Sequence, residues 1–203
     1  IIKSFINTFG KSEPVDLIVS VDNPFSNDNL NSTEERLEHY GLSDDRIKIL
    51  HFPPRDEYIS LLKNCNVFVS CSRSEGWNLP LIESMSCGTP SIYSNCSGQL
   101  EFAEGKGIPI NILGEKPVNE SDYNHFNESV GNYYEPDFNH LSKQMREVYN
   151  NYPHYKSKSI IESKEIRDNL KMGRKNFLEY ALEYQGISSQ KIIQLIKNMI
   201  KKD

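Results

Sequence analysis

Apolar and polar positions follow two periods along the chain, one close to 3.6 residues and one of short apolar runs. Ile2, Phe5, Ile6 and Phe9 recur at helical spacing, and Gly10 stops the run. Residues 15–21 (VDLIVSV) read as a buried strand, followed by a turn-rich loop over 22–30. Ser32 and Glu35 have the spacing of a capping box, and the helix they open should end near Gly41. Residues 46–52 form a second strand that Pro53-Pro54 closes. Residues 55–64 read as a helix with Tyr58, Leu61 and Leu62 facing inward. Residues 66–71 (NVFVSC) are short and apolar, as a central parallel strand is. A helix over about 80–87 stops at Gly88, and strands follow at 90–94 and 107–112, with a turn or short helix near 98–103 between them. Strands separated by helices predict an α/β fold of the Rossmann-like kind, a doubly wound parallel sheet with helices on both faces.

The period changes after Ile112. Residues 113–136 are polar and aromatic without a clear repeat and read as an extended loop. From Asp137, a good N-cap, the pattern is helical to the end, with Leu141, Met145 and Val148 at spacings of four and three. A longer helix over 159–184 with a break near Gly173, and a last one over 188–202, complete it. Residues 1–203 are therefore read as a single domain, with 137–203 as its helical tail.

With 37% hydrophobic and 25% charged residues, the chain can form an ordinary core. Its 23 Lys and Arg against 28 Asp and Glu give a net charge of −5. That balance argues against a nucleic-acid binder, but not against a local anion site. No apolar stretch reaches the ~18 residues that span a bilayer. The four cysteines, Cys65, Cys71, Cys87 and Cys96, show no C-x-x-C pair and no His at zinc spacing, so reduced thiols and no metal are expected. No G-x-G-x-x-G follows a strand, which removes the main support for a nicotinamide enzyme.

The chemistry concentrates in residues 72–104 (SRSEGWNLPLIESMSCGTPSIYSNCSGQLEFAE). Ligands of a doubly wound sheet bind at the carboxyl ends of its strands, where the loop after Cys71 lies. That loop runs into a helix starting near Pro80, whose free N–H groups and dipole make an anion site. Glu75 in the loop and Glu83 in the first helical turn bracket that site, with seven residues between them. A carboxylate repels phosphate but accepts hydrogen bonds from paired hydroxyls. Phosphates between two hydroxylated rings describe a nucleotide-sugar. A Glu in a first helical turn is also a common dipole-compensating residue, and a loop Glu is commonly solvated; the joint order carries the signal.

The string E-G-W-N-L-P-L-I-E over Glu75–Glu83, then C-G-T-P over Cys87–Pro90 and the loop Ser97–Glu101, resembles the group 1 (family 4) retaining glycosyltransferases. Their pattern is E-G-F-G-L-P-x-x-E, then A-x-G-x-P-V, then a Gly-containing loop ending in Glu. The resemblance implies one half of a GT-B fold, the C-terminal donor-binding domain. Glu75 would be the catalytic residue, near the anomeric centre and the hydroxyls of the transferred sugar. Glu83 would hold the ribose hydroxyls. Gly76, Trp77, Asn78, Leu79, Pro80 and Leu81 would approach the sugar and diphosphate, largely through backbone, and His51 and Phe52 would lie beside the base. Trp77 stands for the usual Phe, Asn78 for the second Gly, where it adds an amide to the sugar pocket, and Ser97 for the first Gly of a Gly-Gly pair. The family's phosphate-binding Arg and Lys, and its N-terminal acceptor domain, lie upstream of the segments matched here and are expected to be absent from this chain. Arg73 and Lys106 are the nearest cations in sequence, but neither matches that pair.

The expected reaction is retaining transfer of a sugar from a nucleoside diphosphate to an acceptor hydroxyl, with no cofactor and no essential metal, and with this chain alone catalytically incomplete. The rival reading is a non-catalytic nucleotide or nucleotide-sugar binding module on the same fold. The expected partners are a nucleotide-sugar donor, an acceptor whose identity (sugar, lipid or protein) is open, and the missing domain, whose bare contact face would promote self-association. A cytoplasmic location is expected. Lys197, Lys201 and Lys202 on the last helix leave open a place at the membrane surface.

Overall fold

The computed structural model describes residues 1–19, 32–51, 53–118 and 131–184. The chain divides into two compact units, Ile1–Ser163 and Lys164–Asp203. In the first unit, α1 (Ile2–Thr8), β1 (Leu17–Val19), α2 (Thr33–His39), β2 (Ile47–Ile49) and α3 (Arg55–Asn64) alternate as the pattern predicts. They are followed by β3 (Phe68–Ser70), α4 (Leu79–Ser86), β4 (Ser91–Ser94), α5 (Leu100–Ala103) and β5 (Ile108–Ile110). The Ser32 cap forms: its hydroxyl accepts from the Glu35 N–H at 3.1 Å, and the chain leaves α2 at Gly41, whose φ is +63°.

The strands pair in parallel, β1 with β2, and β3-β4-β5 as a second set. The hydrogen-bonded centre of that second set is β4, not β3 as its apolar sequence suggested. All four β4 residues are buried, whereas β3 is half-buried throughout. The polar residues of β4 are accommodated locally. Ser91 Oγ donates to the Thr89 carbonyl at 2.8 Å and lies 3.0 Å from Ser84 Oγ, and the Tyr93 hydroxyl donates to the Ala103 carbonyl at 2.7 Å. Burial pushes Tyr93 up to about 12.

Residues 113–136 are not simply an extended loop. Ile112–Pro117 (β6) and Asn132–Pro136 (β7) pair antiparallel, with an irregularity between Ile112 and Gly114. Polar, mostly exposed residues carry no apolar alternation, so the ladder leaves little trace in the hydrophobic pattern. Asp137 then caps α6 (Phe138–Asn150), accepting from the Asn139 and His140 N–H groups at 2.9 Å each. The last described element, α7 (Tyr152–Tyr184), is helical through Gly173, where a break was expected. The helix expected over 188–202 lies outside the described residues, and so do the last part of the first strand and the loop after it. Among the described residues, no helix is long and apolar enough to cross a membrane.

The core joins Phe5 and Phe9 of the α1 segment, Ile92, Ile108 and Ile110 of the sheet, and Leu141, Met145 and Val148 of α6. Fully burying one such side chain stabilises by about 1.5–3 kcal/mol. On the N-terminal side of β4 and β5, the first turns of α7 stitch two glycine turns. Lys156 Nζ donates to the Gly88 carbonyl at 2.8 Å, and Gly107 donates its N–H to Glu162 Oε2 at 3.0 Å.

Two arginines close the C-terminal end of α1, where carbonyls lack helical partners. Arg46 donates to the Phe9 and Gly10 carbonyls at 3.2 and 2.9 Å while Asp44 grips it from the other side. Arg146 of α6 donates to the Thr8 carbonyl and to both carboxylate oxygens of Glu13, at 2.5 and 2.9 Å. The Arg146 hydrogen bonds, with the Gly10 N–H, pull Glu13 from 4.5 down to about 2. The folded value is the lower one, so this stabilisation is complete above pH 4.5 and is lost as the pH falls toward 2. Urea unfolding followed by circular dichroism should therefore show a steeper fall in midpoint over that acid range for the wild type than for Glu13→Gln.

Candidate functional site

Three loops leave the carboxyl ends of parallel strands: one after β2 that starts with residues 50–51, 71–78 after β3, and 95–99 after β4. The second and third meet in backbone contact. Gly98 donates its N–H to the Glu75 carbonyl at 3.1 Å, and a Cβ at Gly98 would lie 2.0 Å from the Gly76 carbonyl oxygen. Only glycine fits at that approach. Ser97 beside it has φ +55°, a left-handed conformation costing a non-glycine residue about 1–2 kcal/mol, and its hydroxyl accepts from the Glu75 N–H at 3.1 Å. The Ser72 hydroxyl donates to Glu75 Oε1 at 2.7 Å. Glu75 is thus held at its N–H, its carbonyl and its carboxylate. The β6–β7 hairpin joins this support, because Tyr134 donates its N–H to the Arg73 carbonyl at 2.9 Å. Arg73 itself lies over the Tyr133 ring and 3.5 Å from Glu135.

Asn78 also has a left-handed backbone, with φ +57°. Asparagine is one of the few residues that accept this conformation, which explains how it can stand where the resembling family has glycine. Its amide is not an exposed sugar-pocket group. It is 95% buried: Oδ1 accepts from the Leu81 N–H at 3.2 Å, and Nδ2 donates to Ser70 Oγ and Gln99 Oε1 at 2.9 and 2.6 Å. Gln99, fully buried, in turn donates to the Ser94 carbonyl. One amide pair ties β3, the start of α4 and the end of β4 together.

The cap changes the helix end. Because α4 begins at Leu79, Glu83 lies in its second turn rather than its first. Pro80 has no N–H and that of Leu81 is taken, so the end offers fewer donors to an anion than the sequence suggested. The Leu81 side chain is wholly in the core, whereas Leu79 is exposed. Trp77 is 44% exposed, its ring tilted against Phe102 of α5 at 5.6 Å between centroids. At Gly76 a Cβ would meet nothing within 4 Å, so the space beside it is open.

Glu83 turns toward α3. Its Oε1 lies 2.5 Å from Arg55 Nη2, and its charge also acts on the Tyr58 phenol. Arg55 sits 5.5 Å above the Tyr58 ring. Burial, then the charge of Glu83, push Tyr58 up to about 12, so it stays a donor at neutral pH. Arg55 is not among the residues expected at the site, although the first position of a helix just past a strand's carboxyl end is a signal for it, and Tyr58 is expected only to face inward. The hydroxyls of Ser72 and Ser97 are likewise unexpected as supports for Glu75. His51 is exposed, with Nε2 3.7 Å from Glu34 Oε1 of α2. Phe52 lies outside the described residues. Among the described residues, no three His, Cys, Asp or Glu cluster as metal ligands. The four cysteines form no disulfide, and burial pushes the Cys71 thiol up to about 12.

If Asn78 served only as a substitute for glycine, Asn78→Gly would be neutral. The buried amide pair instead predicts a loss of about 1–3 kcal/mol, from a lost cap and an orphaned Gln99 carbonyl. Gly98→Ala should cost about as much, through forced separation of the two loops. Urea unfolding of both variants measures this.

Similarity to known proteins falls on the same residues. Residues 16–110 match the family described as glycosyl transferases group 1. ORF330 of Acidianus filamentous virus 2, provisionally named a glycosyltransferase, is 28% identical over 162 residues, covering 75% of this chain and 48% of that protein. The chain thus spans about half of that relative's length. ORF315 of Acidianus bottle-shaped virus, provisionally named likewise, is 36% identical over 109 residues, 48% of this chain and 34% of that protein. The serotype-specific mannosyltransferase WbdA of Escherichia coli is 40% identical over 58 residues, 29% of this chain and 7% of that protein. Among solved structures, sucrose-phosphate synthase from Thermosynechococcus elongatus superimposes with a TM-score of 0.55 at 20% identity, over 89% of this chain and 42% of that one. The residues that build the site thus fall within the segment 16–110 that matches the group 1 glycosyl transferases, set in an α/β fold of the GT-B kind.

Proposed function

We propose that this chain is the donor-binding part of a retaining glycosyltransferase and takes a nucleoside diphosphate sugar. The observation that carries the reading is the double support of Glu75 and Glu83. Each carboxylate is oriented by its own neighbours at the carboxyl end of a parallel strand set, within the segment that matches the family. Glu83 accepts the ribose hydroxyls. Glu75 accepts hydroxyls of the transferred sugar near its anomeric carbon. The open space at Gly76 admits the sugar close to the backbone. Glu75, Gly76, Trp77, Asn78 and Leu79 line the sugar side, with Asn78 acting through its backbone and by holding the helix end.

The bond from the anomeric carbon to the diphosphate oxygen breaks, and the electron pair leaves with the nucleoside diphosphate. The acceptor hydroxyl bonds to the same face of that carbon, and its proton passes to the departing phosphate oxygen. Donors aimed at the developing phosphate charge are the usual main source of acceleration. Of the α4 first turn, Leu79 retains an N–H outside the helix ladder. The scarcity of such donors at α4 is the one feature favouring the rival reading, a binding module that performs no transfer.

Likeness to a mannosyltransferase over 58 residues makes a mannosyl nucleotide the first donor to test. Thermal unfolding against UDP-, GDP- and ADP-sugars is the experiment. A donor at a hundred times its Kd stabilises by about 2.7 kcal/mol, roughly 5–10 °C for a chain of this size. A shift of that order for one nucleotide class, lost in Glu83→Ala, is the expected result. No shift for any donor at millimolar concentration would overturn the reading. Where a donor is transferred, the product's anomeric configuration by NMR should match that of the donor.

A further inference from the structure

Glu83 is not presented as a bare carboxylate. We propose that Arg55 is a positioning residue that orients Glu83 and thereby makes the site select a ribose bearing both hydroxyls. This rests on the donor-site reading above and deepens it.

Arg55 is the first residue of α3, directly after the loop that leaves β2, and it reaches Glu83 on the next helix at 2.5 Å. Its own side chain is 63% exposed and that of Glu83 is 24% exposed. An ion pair so open to water adds little to stability. What it does add is direction. A glutamate on a helix surface has three rotatable bonds, and the guanidinium's planar donors select one arrangement of them. Tyr58 supports the arginine, with its ring under the guanidinium at 5.5 Å.

The hydrogen-bond count also fits. A carboxylate offers about four lone-pair sites. Arg55 uses one of them, on Oε1, which leaves acceptor capacity for two hydroxyls held side by side. Charge points the same way. An unpaired Glu83 would repel a diphosphate-bearing ligand, whereas the pair is neutral, and arginine does not lose its proton in the working pH range. Arg55 and Tyr58 lie outside the motif string Glu75–Glu83 but within the segment that matches the family.

The test uses the full chain as wild type, Arg55→Ala and Arg55→Lys, each titrated calorimetrically with UDP, GDP and ADP and with their 2′-deoxy counterparts. The wild type should bind its preferred ribonucleotide about tenfold or more tighter than the deoxy form, the scale of a hydrogen bond to a charged acceptor. Arg55→Ala should lose most of that ratio by weakening the ribonucleotide, with the deoxy form little changed. Arg55→Lys should restore part of it. A general loss of fold would weaken both ligands equally, so the ratio separates positioning from stability. An unchanged ratio in Arg55→Ala overturns the inference alone. Tighter ribonucleotide binding by Arg55→Ala also overturns it, and makes Arg55 a competitor for Glu83. A wild type that binds none of the six nucleotides overturns the donor-site reading, and this inference with it.

Discussion

The site depends on one close approach between two loops. Gly98 lies so near the Glu75–Gly76 backbone that a methyl group in its place would overlap a carbonyl oxygen. Two consequences follow from that contact. The loop after β3 takes its shape from the loop after β4, and not from its own sequence alone. The residues beside the contact must also bend into conformations that side chains resist, which Ser97 and Asn78 do with positive φ. Both then use their side chains as well: Ser97 on the Glu75 N–H, and Asn78 on the α4 start, Ser70 and Gln99. A glycine would relieve the strain at either position and give up those bonds. The two non-glycine residues therefore stiffen a turn that glycine would only permit.

The sheet treats its two ends differently. At the N-terminal ends of β4 and β5, the Gly88 and Gly107 turns are held by charged side chains from α7, and α7 packs against the place a Gly88 side chain would fill. At the carboxyl ends, the same strands run into loops with open space at Gly76 and with Trp77 and Leu79 exposed. Closed packing at one end and loop-borne polar groups at the other is the division that lets an α/β fold carry a ligand without loosening its core.

The parallel part of this architecture was legible because short apolar strands and capped helices leave strong local signals. The α3 helix and the Asp137 cap are read directly from spacing and residue type. Where the sequence misled, the deciding interaction was non-local. The β6–β7 hairpin carries no apolar alternation, and its ladder joins residues separated by a long polar stretch. The centre of the sheet passed from β3 to β4 because serines can be buried when their hydroxyls find Ser84 and Thr89, which composition does not reveal. In the site, the motif glutamates were visible from their order alone. Their partners were not, since Arg55 lies 28 positions from Glu83 and Ser97 lies 22 from Glu75.

The two carboxylates are held by different chemistry, and the difference bears on how they work together. Glu75 is fixed by a neutral hydroxyl and by its own backbone, with no cation among those contacts. Glu83 is fixed by a guanidinium, so its charge is matched. On the proposed reading, the group beside the diphosphate-bearing nucleotide is the neutralised one, and the group beside the anomeric carbon is the charged one. Positive charge develops on the sugar as its bond to phosphate breaks, and an unpaired carboxylate there stabilises it, while the same charge near the phosphates would oppose binding. On that reading the supports separate a binding carboxylate from a reacting one, although both belong to one nine-residue string.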